Sequence, residues 1–460
     1  MSYKPVKPAI LNRQLGLVGA IFLTISAITP ASSVFIIIPG IITQAGTGTV
    51  LSLLLASLIG VIVALIYSEL SSSFPSAGGE YVMVNETIGS LPSFIVLVVN
   101  AIVMILISSV LALGAGDYLS KLFPIPPAGA AMILIMIATL VGVANIRLNA
   151  WVTGCFLAIE LASIGYLIFL GTTHFTGGFS QLLFNPVVSN GIILAHAPAI
   201  SIVIAAAVAA FAFNGYEQAV YLTEEIVSVR KNIPFIILFS LLVTLFIEIV
   251  PTALTVMMMR YNVHELSSTS IFYDTILTFG GHRVANIIAG GIVIAVFNAA
   301  IVNILMTARF IYSTARDGYW GSTLGGRLGA ILKGQRTPWI ATFLAGVVST
   351  LVCLVPLQVL LVLTGTGLLI VYGILCVAAL TGRLSGASKA AEFRAPFFPL
   401  LPLAGLIGIG GILAANYLDP VIGRPSILVT AIIVGIAIVA FYIFKGRIPK
   451  RLLWSDSSET

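Results

Sequence analysis

The chain consists largely of apolar stretches, each roughly 20 residues long, which follow one another from near its start to near its end. Of its 460 residues, 59% are hydrophobic and 8% are charged, whereas a soluble domain usually carries about 25% charged residues. Roughly 20 helical residues cross a hydrocarbon core of about 30 Å, and a helix satisfies its backbone hydrogen bonds without water. The sequence therefore predicts an all-α integral membrane protein in contact with the lipid bilayer.

The spacing of the apolar stretches predicts twelve transmembrane helices. The predicted spans of the first half are 15–43, 50–73, 92–118, 127–146, 150–171 and 198–226. Those of the second half are 233–259, 283–315, 338–355, 357–381, 399–417 and 425–445.

The distribution of Lys and Arg predicts the orientation, because both residues gather on the cytoplasmic side of membrane proteins. If the N-terminus is inside, 18 of the 22 Lys and Arg residues fall in inner segments. We expect a multi-pass protein of the cell (plasma) membrane with both termini cytoplasmic, residues 1–14 forming the N-terminal segment and 446–460 the tail. Because the cations are dispersed over several loops, the net charge of +6 does not indicate nucleic-acid binding.

Residues that could build a metal site, a disulfide framework or an enzyme active site are scattered. Cys155, Cys353 and Cys376 lie singly in apolar stretches, and the four histidines lack the spacing of metal ligands. The sequence contains no nucleotide-binding loop and no clustered acid–base pair. We expect no metal, no cofactor and no enzymatic activity, and no cleaved signal peptide, since the first apolar stretch is too long for one.

Two of the predicted spans are interrupted by residues that do not suit a membrane helix. In the first span, Pro30 removes a backbone donor within the run 29–33 (TPASS) and clashes with the preceding turn, so the helix is expected to open there. In the sixth span, Asn214, Gly215 and Glu217 interrupt an apolar run. Polar groups at that depth are costly unless they line a cavity or another helix.

The two breaks occupy matching positions in two successive units of five helices, and an odd number of helices inserts the second unit upside down. This pattern predicts inverted repeats, 15–171 and 198–382, within a transport core of residues 15–382, followed by two additional helices in 396–445. In such transporters, half-helix N-termini hold carboxylates, and half-helix C-termini hold cations. Kinks in ordinary bundle helices are the alternative interpretation.

Several segments resemble the amino acid-polyamine-organocation (APC) superfamily. These segments are 67–70 (YSEL) with 74–81 (FPSAGGEY), 211–217 (FAFNGYE) with 224–225 (EE) and 232–234 (NIP), and 307–309 (TAR) with 315–318 (ARDG). The resemblance implies a LeuT-type fold with a 5+5 inverted repeat, alternating access and a substrate site between spans one, three, six, eight and ten. By position, it implies that the span-one break falls on 31–33 and is followed by a matching Val34, that Phe211 covers the pocket, and that Asn303 and Asn100 contribute from spans eight and three.

The breaks and the resemblance together define a candidate substrate site, and they assign Pro30 and Glu217 structural or gating roles. The site residues are Thr29, Ala31, Ser32, Ser33, Val34, Asn100, Phe211, Phe213, Asn214, Gly215 and Asn303. APC amino-acid carriers commonly have a Gly-Ser-Gly type break that exposes amides to a carboxylate, and Pro30 departs from that pattern. An amino acid is therefore the first substrate hypothesis, and a polyamine or other organic amine is the alternative.

Two acids lie in the middle of apolar spans. Glu160 stands in the fifth span, where an ionised carboxylate is expensive unless it is paired or hydrated. We predict that it takes up and releases a proton during transport, with a permanently neutral acid as the alternative. Glu248 stands one turn before Pro251 and is interpreted as part of a kink.

The predicted function is secondary active transport by proton-coupled symport or exchange. Sodium is a less favoured coupling ion, because Thr29, Ser32 and Thr307 supply oxygens but Glu160 stands near the same place. A nutrient sensor built on a transporter fold is a further alternative. The sequence does not decide the oligomeric state.

Overall fold

The computed structural model describes residues 15–76, 78–143, 150–174, 179–223, 226–259, 263–316, 318–330 and 338–444. The predicted terminal segments 1–14 and 446–460 lie outside the described residues, as do Ala77, Glu224, Glu225 and Asp317, which belong to the resembling segments.

The first half of the chain is helical, with one interrupted span at its start. Its helices are α1 (Leu17–Ile28), α2 (Pro30–Ser32), α3 (Ile38–Ala45), α4 (Thr49–Ser73), α5 (Glu80–Thr87), α6 (Ser90–Leu122), α7 (Pro127–Val143), α8 (Ala150–Thr173) and α9 (Phe179–Leu183). A π-helical turn, Ser33–Ile37, joins α2 to α3, and a 3-10 turn, Gly46–Gly48, joins α3 to α4.

The connection between the halves contains a short antiparallel hairpin of β1 (Val187–Ser189) and β2 (Leu194–His196). The all-α prediction did not include this hairpin, which lies between the predicted spans. Asn190 accepts hydrogen bonds from the backbone of the turn, as turn asparagines do.

The second half is also helical. Its helices are α10 (Ala199–Ala212), α11 (Val229–Met258), α12 (Val263–Ser267), α13 (Ile271–Arg316), α14 (Gly321–Leu328), α15 (Trp339–Val352), α16 (Leu357–Ser385), α17 (Leu400–Leu418) and α18 (Gly423–Phe444). A 3-10 segment, Tyr216–Leu222, follows α10, and another, Ala387–Ala390, follows α16.

The helices confirm a multi-pass membrane protein. Within the described residues, nine helical segments are long and apolar enough to cross a membrane, and Pro127–Val143 and Trp339–Val352 are shorter apolar helices. On α18, Ile432, Ile436, Val439 and Ile443 are more than half exposed. Their spacing of three to four residues forms one apolar stripe, which suits contact with lipid.

Three predicted spans differ in detail from the helices that the structure shows. The predicted helix 198–226 is not one continuous α-helix, because its α-helical part ends at Ala212. Gly215 then follows with a backbone conformation that only glycine adopts readily (φ 123°). The predicted span 283–315 belongs to a longer helical segment that begins at Ile271 and has a kink at Gly281. In the first span the helix opens at Thr29 alone. Pro30 then begins the next helix, because proline at the first helical position favours helix formation.

The helices pack around α6 and α4. Helix α6 packs against α7, α13 and α16, and α4 packs against α10 and α11. The broken segments lie in the middle of this arrangement, since α2 contacts α8, α11 and α13 while the π-helical turn contacts α6 and α10. The additional helices α17 and α18 pack against α16 and against each other.

An ion pair between the buried Glu69 and the partly exposed Arg383 joins the end of α4 to the end of α16. Arg383 Nε and Nη2 donate to the two carboxylate oxygens of Glu69 at 2.6 and 2.5 Å. Arg383 also donates to the Ala395 carbonyl at 2.6 Å, and the Ala395 N–H donates to Glu69 at 2.9 Å. The pair therefore fixes the connection between α16 and α17 against α4.

We predict that Arg383→Met lowers the free energy of unfolding by about 3 kcal/mol, because it leaves the Glu69 carboxylate buried without its cation. The measurement is the thermal unfolding midpoint of the purified protein in detergent. Arg394→Met, which removes an exposed arginine from the same connection, is the control. Adding Glu69→Gln to Arg383→Met should recover part of the loss, and equal midpoints for Arg383→Met and Arg394→Met would contradict the prediction.

Candidate functional site

The opening of the first membrane helix is a single residue in a left-handed conformation. Thr29 has φ 53° and ψ 70°, which is unfavourable for a β-branched side chain. Helix α1 ends before it, and α2 starts after it with Pro30. The last carbonyl groups of α1 consequently lack partners within their own helix.

The amides that follow the opening are already occupied. The Ala31 N–H donates to Glu160 Oε2 at 3.2 Å. The Ser32 and Ser33 N–H groups turn back to the Thr29 carbonyl at 2.8 and 3.4 Å. The start of α2 therefore holds a carboxylate that belongs to the protein, contributed by α8.

The second break lies opposite the first and is directly bonded to it. The Ser33 hydroxyl donates to the Ala212 carbonyl at 2.9 Å, at the end of α10. Beyond that end, Gly215 lies so close to the first break that a Cβ there would stand 2.9 Å from Ile28 Cα. The two interruptions are thus in contact across the centre of the protein.

Glu217 stabilises the second break from within. Its carboxylate accepts a hydrogen bond from the Gly215 N–H at 3.0 Å and another from the Asn214 side-chain amide. Because Gly215 no longer belongs to an α-helix, its backbone N–H needs such a partner. Glu217 is 4% exposed and does not line the cavity described next.

A cavity lies between the two breaks. Its lining is uncharged. The residues around it are Ala27, Ile28, Thr29, Ser32, Ser33, Ile37, Ile107, Leu111, Phe211, Asn214, Gly215, Gln218, Ala299, Val302, Asn303 and Met306. Two polar atoms of this lining, Ser32 Oγ and Gln218 Oε1, are buried without a hydrogen-bond partner among the described residues.

A second cavity adjoins the first and shares Ile107, Asn214 and Gln218 with it. Glu80 and Glu217 both line it. Glu80 accepts hydrogen bonds from Tyr67 at 3.0 Å and from Tyr221 at 2.8 Å. Two acidic side chains therefore lie beside the uncharged cavity, on the other side of the Asn214 and Gln218 side chains.

The structure gathers most, but not all, of the predicted substrate-site residues around the first cavity. Those that line it are Thr29, Ser32, Ser33, Phe211, Asn214, Gly215 and Asn303. Asn303 also donates to Ser108 at 2.7 Å and to the Met104 carbonyl at 2.9 Å, so α6 fixes its orientation.

The remaining predicted residues lie elsewhere. Val34 and Phe213 are buried in the helix packing, and the Ala31 amide faces Glu160. Asn100 lines the second cavity, where it donates to Glu80 at 3.1 Å and to Tyr221 at 2.9 Å. Gln218 lines the first cavity but was not among the predicted residues. Its neighbours Asn214 and Glu217 were singled out as polar residues within an apolar span, and the same signal could have identified Gln218.

Comparison with known proteins places these features in context. The family model for amino acid permeases matches residues 15–444. A methylthioribose transporter of Bacillus subtilis (strain 168) is 24% identical over 384 residues, covering 78% of this chain and 79% of the relative. The branched-chain amino acid permease BcaP of the same organism is 24% identical over 420 residues, covering 85% of each chain. Human large neutral amino acids transporter small subunit 2 is 27% identical over 359 residues, covering 75% of this chain and 64% of the relative.

We predict that Gly215→Ala lowers the free energy of unfolding by about 2 kcal/mol, because alanine at this positive φ is strained and its Cβ approaches Ile28. Thermal unfolding of the purified protein measures the change. Gly165→Ala is the matched control, since a Cβ on this helical glycine meets nothing within 4 Å. Equal midpoints for the two variants would show that the second break tolerates an ordinary residue.

Proposed function

The chain belongs to the amino acid permease family of the APC superfamily, and from this premise we propose that it is a secondary active transporter of neutral amino acids. The observation that carries the proposal is the uncharged cavity between two bonded helix breaks, with Ser32 Oγ and Gln218 Oε1 left without partners. Buried polar atoms of that kind are normally satisfied, and a zwitterionic ligand would satisfy both.

The chemistry of the lining supports an amino acid whose side chain is neutral. In the proposed complex, the Ser32 hydroxyl donates to the α-carboxylate, and Gln218 Oε1 accepts from the ammonium group together with carbonyls at the end of α1. Phe211, Ile107 and Leu111 provide apolar surface for the side chain. A branched-chain amino acid permease and a large neutral amino acid transporter are among the similar proteins.

The proposed architecture is the one implied by the sequence. Twelve spans form a 5+5 inverted repeat of residues 15–171 and 198–382 in a core of 15–382, with two further helices in 396–445. The protein is proposed to lie in the plasma membrane with both termini in the cytoplasm. Alternating access then moves the breaks and their cavity between the two sides.

We propose that a proton drives this transport and binds at Glu160. The Glu160 side chain is 3% exposed and accepts a hydrogen bond from the Ala31 N–H. Within the described residues, no cation pairs with it. When ionised, the carboxylate is favoured by the start of α2, and a proton weakens that attachment. Proton binding at Glu160 thus leaves the start of α2, which has a positive potential, without a charged partner beside the cavity.

We predict that Glu160→Gln abolishes accumulation of leucine driven by a pH gradient but preserves leucine counterflow, because glutamine keeps the shape of the protonated acid and cannot release the proton. Radiolabelled leucine in proteoliposomes measures both processes. Glu392→Gln, on an exposed residue outside the site, is the control and should behave as wild type. Undiminished pH-driven accumulation in Glu160→Gln would remove the proton role from this residue.

We predict that Ser32→Ala weakens leucine binding roughly 10- to 100-fold, since a hydrogen bond to a charged group contributes about 1.5–3 kcal/mol. The measurement is the rise of the unfolding midpoint with leucine concentration. Putrescine and methylthioribose are tested in parallel. If putrescine is the only one of these compounds that stabilises the protein, the amine alternative replaces the amino-acid proposal. If leucine binds but counterflow of leucine is absent, the protein is a sensor.

A further inference from the structure

Glu80 is a buried acid that the proposed transport mechanism leaves unused. It is the first residue of α5, and 2% of its surface is exposed. Helix α5 packs against α6 and α16, and the Ser93 hydroxyl of α6 donates to the Tyr81 carbonyl at 2.7 Å. The backbone that carries Glu80 is therefore fixed to two of the long apolar helices.

The Glu80 carboxylate accepts three hydrogen bonds from three different elements. Tyr67 of α4 donates to Oε1 at 3.0 Å. Tyr221 of the 3-10 segment after α10 and Asn100 of α6 donate to Oε2 at 2.8 and 3.1 Å. The Asn100 amide also donates to the Tyr221 hydroxyl at 2.9 Å. Glu80 thus joins α4, α5, α6 and the 3-10 segment at one point, and we call these four side chains the Glu80 network.

The Glu80 network lies on one side of the proposed substrate site. All four of its side chains line the second cavity, which shares three residues with the first. Tyr67 stands on α4 two residues before Glu69, whose ion pair with Arg383 ties the ends of α4 and α16. The network therefore stands between the substrate cavity and that end of the protein.

Tyr221 connects the Glu80 network to the second helix break. It belongs to the 3-10 segment that begins directly after Gly215 and is seven residues long. Runs of 3-10 helix longer than three to four residues are uncommon, and they often mark a hinge. The Tyr221 ring rests on bare backbone, since a Cβ on Gly79 would stand 2.8 Å from Tyr221 Cε1. A shift of the 3-10 segment would therefore separate Tyr221 from Glu80 without moving α4, α5 or α6.

We propose that Glu80 is the latch of a gate between the substrate cavity and the end of the protein at which Glu69 pairs with Arg383. In the closed gate, Glu80 holds Tyr221 at the second cavity. The gate opens when the 3-10 segment takes Tyr221 away, and Tyr67 remains as a partner of the carboxylate. Glu80 touches no substrate and acts by positioning Tyr221. The gate rests on the proposed function, because it serves a protein that moves a ligand.

Labelling of a cysteine in the cavity tests the gate without a substrate. Ile107→Cys, at a residue that lines both cavities, is the reporter, and Cys155→Ser removes the exposed native cysteine. A membrane-impermeant maleimide is added to spheroplasts and to inverted membrane vesicles, so that each side of the membrane is reached separately. Arg394→Cys, on an exposed residue of the connection after α16, marks the side at which Glu69 pairs with Arg383.

Glu80→Gln and Tyr221→Phe should each raise the rate of reporter labelling from the marked side roughly 3- to 10-fold, which is the effect of one hydrogen bond on an equilibrium. Labelling from the opposite side should not rise. Tyr221→Phe keeps the ring on Gly79 and removes only the hydroxyl, so it decides the outcome if Glu80→Gln fails to fold. Tyr273→Phe is the matched control, because it removes another tyrosine hydroxyl that donates to a side chain, Asn286, outside the network.

The double variant of Glu80→Gln and Tyr221→Phe should be labelled no faster than the faster single variant, because both changes act on one hydrogen bond. Three results would overturn the latch: multiplied effects in the double variant, an equal rise from both sides, or unchanged rates in both single variants.

Leucine counterflow separates the gate from the proposed function. The expected rise in labelling, together with an absence of counterflow in the wild type, would keep the latch and reject leucine transport. Counterflow in the wild type, together with unchanged labelling in the variants, would keep leucine transport and reject the latch.

Discussion

A transmembrane helix that opens must find partners for the backbone groups it frees, because lipid offers none. At the opening after Thr29, groups from two other spans meet part of this requirement. Glu160 of α8 takes the Ala31 amide, Ala212 of α10 takes the Ser33 hydroxyl, and Gly215 allows the second break to approach. The position of the cavity, its uncharged lining and the buried acids next to it all follow from how these backbone groups find their partners.

Much of this arrangement is visible in the sequence, because its causes are local. Apolar stretches of membrane length predict the helices, and Pro30 marks the first break because it lacks an amide hydrogen. Glycine and two polar residues within an apolar run mark the second. Glu160 could be singled out as an acid surrounded by apolar neighbours. The family resemblance is confirmed, since the amino acid permease model covers residues 15–444.

What the sequence does not reveal depends on contacts between distant segments. Asn100 is polar and stands in the expected span, yet Glu80 and Tyr221 hold it at the second cavity. Gln218 resembles its polar neighbours in sequence, and only packing shows that its oxygen faces the first cavity unpartnered. Glu248 is buried without a hydrogen-bond partner among the described residues, which its neighbour along the chain, Pro251, does not predict.

The ion pair of Glu69 and Arg383 has a mechanical consequence. Ser72 donates to the Arg230 carbonyl at the start of α11 and accepts from the Glu392 amide, while Arg230 donates to the Ala390 carbonyl. Helices α4, α11 and α16 are therefore tied at one end through the same short connection. A single substitution in this connection, such as Arg383→Met, therefore removes contacts of more than one helix at once.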